Sequence, residues 1–219
     1  MGVDRARIEA AVAELILAIG EDPGREGLAT TPARVAEAYA EFFSGVGADP
    51  LRHLRETFPL PETDAAPQPV IVTGIAFRSI CEHHLLPFTG VAHLAYVPGE
   101  RIVGLGRLPR VVDDLASRPQ MQERLGEQIA EALERGLGAR GVAVILDATH
   151  GCVTARGTRQ AGSTTITIAA RGSLAEPAAR AEVLALLPTS KASRQSGAYS
   201  SKTMVIDLPP SPISGVRVT

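Results

Sequence analysis

Residues 1–47 carry the spacing of apolar positions that is typical of helices. In the first segment the apolar side chains recur at i, i+3, i+4 and i+7, which is one face of an amphipathic helix: Val12, Leu15, Ile16 and Ile19. A second helix is predicted to start at Thr31-Pro32, because threonine can cap a helix and proline fits its first turn. We therefore predict a helical N-terminal region over residues 1–47.

A polar, proline-containing connection, residues 48–69, follows, and we interpret it as a linker. After it the pattern changes to short runs rich in β-branched residues, which predict strands. Two such runs come first, at 70–80 and 91–97, and two more follow at 141–148 and 163–170. The last run alternates in polarity and is predicted to pair with the one before it.

Between the two groups of strands the apolar positions return to helical spacing. One helix is predicted over residues 108–115, and another begins after Pro119 and ends near Gly136 or Gly138. A short last helix is predicted over residues 177–187.

This order of elements favours an α+β fold with an antiparallel sheet and helices on one face over alternating βαβ units with a parallel sheet. Residues 70–187 are predicted to form the core domain. Residues 188–219 are rich in serine and proline and form a C-terminal tail of unknown role.

The chain has 219 residues, 45% of them hydrophobic, and a formal net charge of −2, which together predict a packed globular protein. No basic run stands out, so we expect no nucleic-acid partner. No segment reaches the roughly 18 apolar residues that a membrane helix needs. The N-terminus lacks the apolar core of a secretion signal, so we expect a cytoplasmic protein.

Both cysteines and three of the five histidines fall into two short clusters. The first is CEHH at residues 81–84 and the second is HGC at residues 150–152. Cys81 and His84 lie three residues apart in a predicted loop, so a thiolate and an imidazole can bind one zinc ion there. Cys152 offers a second thiolate.

Three protein ligands leave a fourth position open, as in a catalytic zinc site. His83 and His150 would then be free to transfer protons near neutral pH. The spacing alone also fits a structural zinc site or two inert thiols. Of the remaining histidines, His53 is interpreted as solvated and His93 as hydrogen-bonded within a strand.

Arginine is the candidate phosphate ligand of the main domain, because both lysines, Lys191 and Lys202, lie in the tail. Arg107 and Arg110 fall within one predicted helical turn, and Arg156 follows the second cluster by four residues. The guanidinium fork suits phosphate oxygens. Taken alone, the three would be interpreted as ordinary surface arginines. No P-loop motif is present.

Four stretches resemble the motifs of the GTP cyclohydrolase I family, in the family's order and at similar spacing. They are IGEDPGREGLATTPARV (19–35), ICEHHLLPF (80–88), RPQMQERL (118–125) and HGCVTARG (150–157). The resemblance covers roughly residues 8–187.

The resemblance implies the tunnelling fold, in which a helical N-terminal region precedes an antiparallel sheet backed by two long helices. It implies a toroidal homodecamer with active sites at subunit interfaces. The implied reaction is a zinc-dependent hydrolytic opening of the guanine imidazole ring of GTP. Formate is released, and the product closes to 7,8-dihydroneopterin triphosphate, the first step of tetrahydrofolate and pterin biosynthesis.

The family's functional positions fall on residues of this chain that match the motifs. Those that resemble the zinc ligands are Cys81, His84 and Cys152, and those that resemble the catalytic histidines are His83 and His150. The implied contacts to GTP are Gln122 and Glu123 at the guanine, Arg107, Arg110 and Arg156 at the triphosphate, and Arg34 from a neighbouring subunit.

The chain also departs from the family pattern. Gly106 stands where serine is usual and Arg107 where lysine is usual, and Pro109 and Gly151 are also unexpected. Two alternatives stay open, and the departures support only the first of them. One is a paralogue with a truncated or secondary-metabolic ring-opening reaction on GTP, and the other is a non-catalytic, zinc-stabilised GTP-binding oligomer.

Overall fold

The computed structural model describes residues 2–60 and 66–188, so the predicted tail from residue 189 onward lies outside the described residues. Two helices form the N-terminal region, α1 (Arg5–Ala18) and α2 (Thr31–Phe42). The Asp4 carboxylate caps α1 by accepting the Arg7 N–H at 3.1 Å. Helix α2 has Pro32 in its first turn as predicted, but its N-cap residue is Thr30 and no side chain caps it.

The apolar side chains of α1 are mostly exposed in the single chain. Helix α1 packs against α2, and Ile16 is its only buried residue. Leu15 and Ile19, which share the predicted apolar face, are 59% and 69% exposed. The predicted helix is present, but one neighbouring helix cannot cover the whole of its apolar face.

Residues 48–60, interpreted from the sequence as part of a linker, are folded onto the domain. Pro50–Leu54 forms a 3-10 helix, and Leu54 is 2% exposed within the main hydrophobic core. Strand β1 (Thr57–Pro59) pairs antiparallel with β4 (Arg101–Val103). The sequence pattern did not predict these two elements, because a few apolar residues within a polar segment show neither helical nor strand periodicity.

The interpretation of His53 as a solvated side chain is wrong. Its Nε2 lies 2.9 Å from Asp114 Oδ2, and its side chain is 15% exposed. Arg52 donates to the other carboxylate oxygen of Asp114 at 2.8 Å. Asp114 therefore joins the 3-10 helix to the helix that spans Arg107–Ala116.

The main sheet has five strands in the order β5-β2-β3-β6-β7. Their bounds are β2 (Val70–Cys81), β3 (Pro87–Val97), β5 (Pro119–Gln120), β6 (Gly141–His150) and β7 (Thr165–Gly172). All pairings are antiparallel except that of the two-residue β5, which lies parallel to the end of β2. The predicted strands and the predicted antiparallel sheet are confirmed.

Two helices back one face of the sheet, α3 (Arg107–Ala116) and α4 (Gln122–Leu137). Helix α4 ends at Gly138, whose φ of +59° is the left-handed conformation that favours glycine at a helix end. The alternating side chains of β3 and β6 that face these helices are fully or almost fully buried: Ala92, Leu94, Tyr96, Val142, Val144, Leu146 and Ala148. The predicted fold class is therefore confirmed.

On the opposite face of the sheet, the described residues form a second, smaller buried cluster at one end. Ala95, Ala143 and Ile145 pack there with Leu174 and Val183. Those last two side chains come from a 3-10 turn (Ser173–Ala175) and from α6 (Pro177–Ala185). On β7, Ile166 and Ile168 are 59% and 48% exposed.

His93 lies buried in β3, but no hydrogen bond of its side chain is present among the described residues. Its Nδ1 and the nearby Asp147 Oδ1 are buried atoms without a hydrogen-bond partner among the described residues. Burial lowers the pKa of His93, and the charge of Asp147 opposes that shift. His93 is therefore a sheet histidine that is not fully satisfied within the described chain.

No helix in residues 2–60 or 66–188 is both long enough and apolar enough to cross a membrane.

Leu54 tests whether the segment before β1 belongs to the folded domain. We expect Leu54→Ala to lower the free energy of unfolding by about 2–5 kcal/mol, because it leaves a cavity in the core. Chemical denaturation measures this change. Leu186→Ala, at a side chain that is 69% exposed, is the matched control and should change stability by less than about 0.5 kcal/mol. Equal stabilities of the two variants would contradict the packing of this segment.

Candidate metal centre and active site

The first metal-binding cluster lies in a tight loop between β2 and β3. Cys81 ends β2, its N–H donates to the Leu86 carbonyl at 2.9 Å, and its carbonyl accepts the Leu85 N–H at 2.9 Å. Leu85 has a φ of +51°, a left-handed conformation that a leucine rarely adopts. This turn folds the loop back so that His84 lies beside Cys81.

The second cluster follows β6. This strand ends at His150, and the single turn of α5 (Gly151–Thr154) carries Cys152. Gly151 approaches β3 so closely that a Cβ built on it would lie 2.8 Å from the Pro87 carbonyl oxygen. Glycine at this position therefore fits the local packing of β6 against β3, which is a structural account of one departure from the family pattern.

Three donor atoms meet where these clusters come together. The ligand atoms of Cys81, His84 and Cys152 all lie within 4.8 Å of one another. Zinc–sulfur bonds of about 2.3 Å place two tetrahedral donors about 3.8 Å apart, so the three side chains reach one ion with small adjustments. Two sulfurs and an imidazole nitrogen are donors that zinc prefers. The donor set therefore fits a zinc ion.

The surroundings of Cys152 favour its neutral thiol over the thiolate. Burial raises the pKa of the Cys152 thiol, the neighbouring Cys81 thiol raises it further, and the charge of Arg156 opposes both. A cation between the two sulfurs would reverse this and stabilise both thiolates. Cys81 is buried while His84 is exposed, so the site is closed on one side and accessible on the other.

His150 is held in place by two contacts. Its ring stacks on Phe88, with centroids 4.6 Å apart and planes 4° from parallel, and the two residues are paired across β3 and β6. Its Nε2 lies 2.8 Å from Gln122 Oε1. Burial lowers the pKa of His150, and the charge of Glu123 opposes that shift.

The surroundings of Gln122 determine which nitrogen of His150 is available. Gln122 is 1% exposed, and its Nε2 donates to three oxygen atoms: Leu146 O at 3.0 Å, Thr165 O at 2.9 Å and Thr167 Oγ1 at 3.1 Å. The amide oxygen therefore faces His150 and can only accept. His150 Nε2 must donate to it, which in the neutral ring leaves Nδ1 with the lone pair.

The remaining site residues at this end of the sheet are exposed. His83 lies 6.4 Å from His84 between ring centroids. Glu123 is exposed in the first turn of α4 and close enough to His150 to affect its pKa. Arg156 is exposed and acts on the Cys152 thiol in the same way. The Gln122 amide already has protein partners. Its predicted direct contact with the guanine stays a prediction.

Arg107 and Arg110 lie around a separate cavity of about 260 Å³, at the start of α3. Arg107 forms an ion pair with Glu56, in the segment before β1. Gly106 has open space where a side chain would stand, so the absence of the usual serine does not reflect steric exclusion. Arg34 is exposed on α2, and its predicted role in a neighbouring subunit stays a prediction.

Several residues that shape the site were not predicted from the sequence. Phe88 stacks on His150, and an ion pair joins Glu82 to Arg124. Gln120 is buried, and its carbonyl accepts the Glu82 N–H of the loop between β2 and β3, residues 82–86, which we call the metal loop. All four lie inside the CEHHLLPF and PQMQER stretches. The signal was therefore present in the motifs, but single-residue roles could not be read from it without the contacts.

The fold and the site together define a class, an α+β protein with a candidate metal-dependent active site at one end of its sheet. The family model described as GTP cyclohydrolase I matches residues 8–188. A GTP cyclohydrolase 1 of Leifsonia xyli subsp. xyli is 64% identical over 186 residues, which are 85% of this chain and 96% of that protein. One of Rhodopirellula baltica is 52% identical over 186 residues, 84% of this chain and 80% of that protein.

The chain belongs to the GTP cyclohydrolase I family, and the resemblance seen in its motifs is confirmed. Among solved structures, the archaeosine synthase QueF-Like in its apo form matches 51% of this chain and 98% of its own, with 14% identity and a TM-score of 0.40.

Gln122→Met tests the hydrogen bonding around His150. This change keeps the length of the side chain but removes the acceptor of His150 Nε2 and leaves the buried Leu146 carbonyl and the Thr165 carbonyl without this donor. We expect a loss of about 1–3 kcal/mol in unfolding free energy. We also expect the ¹⁵N signals of neutral His150 to shift away from the Nε2-protonated form.

Gln160→Met is the matched control, because the Gln160 amide is exposed and bonds only the Thr158 carbonyl among the described residues. It should leave both readouts unchanged. An unaltered His150 spectrum in Gln122→Met would contradict the assigned tautomer.

Proposed function

We propose that the protein is a zinc-dependent GTP cyclohydrolase I. It opens the guanine imidazole ring of GTP by hydrolysis, releases formate and closes the product to 7,8-dihydroneopterin triphosphate. The observation that carries this proposal is the meeting of Cys81, His84 and Cys152 beside a histidine whose tautomer is set by a buried amide. Membership of the family supports GTP as the substrate.

Cys81, His84 and Cys152 would hold the zinc ion, and the exposed side of His84 leaves the fourth position open to solvent and substrate. When bound there, zinc supplies a Lewis acid that lowers the pKa of a water ligand towards neutrality.

The histidines transfer protons in this proposal. His150 presents Nδ1, because Gln122 holds the proton on Nε2. Its stacking on Phe88 restricts ring rotation. His83, on the exposed side of the loop between β2 and β3, is accessible to solvent for proton exchange. The two rings therefore have different environments and different parts of the proton transfer.

Charged side chains orient the substrate. The Glu123 carboxylate can accept from the ring N–H and the exocyclic amine of guanine together. Arg107, Arg110 and Arg156 would bind the triphosphate. The Arg107–Glu56 ion pair is exposed and would be exchanged for phosphate oxygens, at small cost because exposed pairs contribute little.

We further propose that the protein acts in the cytoplasm as a homodecamer whose active sites lie at subunit interfaces. Three features support assembly: exposed apolar side chains on α1, the exposed Ile166 and Ile168 on β7, and the position of β7 at the end of the sheet order. An exposed edge strand with apolar side chains favours pairing with another chain. Arg34 would reach the triphosphate from a neighbouring subunit.

Metal content and turnover, measured together, test the proposed chemistry. Purified protein incubated with GTP should contain zinc, release formate and develop pterin absorbance. Cys152→Ala should lose zinc and turnover together. His83→Ala should keep its zinc and lose about 10²- to 10⁴-fold in turnover, because only proton transfer is removed.

Other outcomes of this experiment separate the alternatives. Formate without pterin, or an opened ring that keeps its formyl group, would indicate a truncated reaction. Full zinc occupancy without any turnover would overturn the enzyme assignment and favour a GTP-binding oligomer.

The mass in solution tests the assembly. Ten copies of the 23.0 kDa chain give about 230 kDa by light scattering. Leu15→Glu should shift the protein to smaller species, because a charge would enter an apolar interface. Glu14→Gln, at an adjacent exposed position, is the control. A monomeric parent protein would contradict the proposed decamer.

A further inference from the structure

An ion pair connects the metal loop to helix α4. Arg124, in the first turn of α4, donates from a terminal nitrogen to Glu82 Oε2. Glu82 follows the metal-binding Cys81 directly and stands two residues before His84. None of the roles assigned so far uses this pair.

Arg124 is itself anchored on a buried side chain. Its Nε donates to Gln120 Oε1 at 3.3 Å. Gln120 is 1% exposed, and its Nε2 donates to the Leu115 carbonyl and to Gln128 Oε1, both at 2.8 Å. The guanidinium therefore extends from a fixed amide, and little rotamer freedom remains for it to lose on pairing with Glu82.

The backbone provides a second attachment at the same residue. The Glu82 N–H donates to the Gln120 carbonyl at 3.0 Å, and the short parallel pairing aligns Cys81 with Gln120. The metal loop is thus attached to β5 through its main chain and to α4 through the Glu82 side chain. A loop attached at both points has fewer conformations in which Cys81 and His84 lie apart.

The pair also differs from the ion pair formed within α4, between Arg135 and Glu131. Those two side chains lie one turn apart on the helix and are 66% and 46% exposed. Glu82 is 29% exposed and joins two elements separated by 42 residues. Its other carboxylate oxygen lies 3.8 Å from His83 Nε2, so the same carboxylate borders a predicted catalytic ring.

We propose that Arg124 and Gln120, acting through Glu82, are positioning residues that hold the metal loop in its ligand-binding conformation and thereby raise zinc affinity. The inference rests on the proposed zinc site and adds the residues that orient its ligands. Residues outside the ligand set commonly affect metal affinity by about 10- to 100-fold.

A double-mutant cycle on zinc affinity tests the proposal. Full-length parent protein, Glu82→Gln, Arg124→Gln and the double variant are titrated with zinc in competition with a chromogenic chelator. We expect each single variant to raise the zinc Kd by about tenfold. The zinc Kd of the double variant should be no higher than that of the single variant that binds zinc more weakly, because both changes remove the same interaction. Arg124→Lys, which keeps the charge, should recover part of the loss.

The Co²⁺-substituted proteins provide a readout that is independent of activity. The thiolate-to-cobalt absorption should persist in every variant, while the d–d bands should broaden or shift in Glu82→Gln and Arg124→Gln, since the ligands are less firmly oriented. Arg135→Gln is the control on the same helix and should match the parent in Kd and spectrum. The unfolding midpoints of the metal-free proteins show whether any variant is misfolded. Glu82→Gln changes a partly exposed side chain, so we expect this variant to fold even if Arg124→Gln does not.

Single variants whose zinc Kd stays within about twofold of the parent would overturn the proposal. A double variant whose loss is the product of the two single losses would overturn it as well, because the residues would then act independently. A parent protein that binds no zinc would overturn the proposed zinc site, a failure that is distinct from equal binding by parent and variants.

Discussion

The pairing of β3 with β2 on one side and β6 on the other determines where the candidate site of this protein lies. Because both pairings are antiparallel, β2 and β6 end where β3 begins. Cys81 and His150 are therefore neighbours of the first residues of β3, and α4 begins at the same end. Residues that are far apart in the chain meet there without any long loop to order. Formation of the sheet already fixes their backbone, so bringing them together costs little additional conformational entropy.

The polar side chains around this meeting point fall into two groups with different physical demands. Gln120 and Gln122 are buried, and both are hydrogen-bonded by the protein, as burial of an amide requires. His83, Glu123 and Arg156 are exposed and lie where a substrate can reach them. The buried group gives the site its shape, and the exposed group has charges that can interact with a ligand.

Sequence patterns predicted the elements of the fold well and their environment less well. The strands, α3 and α4 were predictable because period and composition are local properties, and Gly138 ends its helix for a local reason. The segment before β1 was not, because Leu54 reaches the core only through the packing of α3 and α4. Likewise, His53 has a carboxylate partner that is 61 residues away, and no local pattern carries that information.

By itself, the sequence determined the family, the ligand types and the identity of the candidate metal-binding and proton-transferring residues, since CEHH and HGC are contiguous in the chain. Only the tertiary structure decided that the two clusters share one site, that Gln122 holds the proton of His150 on Nε2, and that Glu82 is tied to α4. The physical reason is that a hydrogen bond or a coordination site depends on distances of a few ångströms. Those distances are set by strand register and helix packing, which bring together residues that the chain itself keeps far apart.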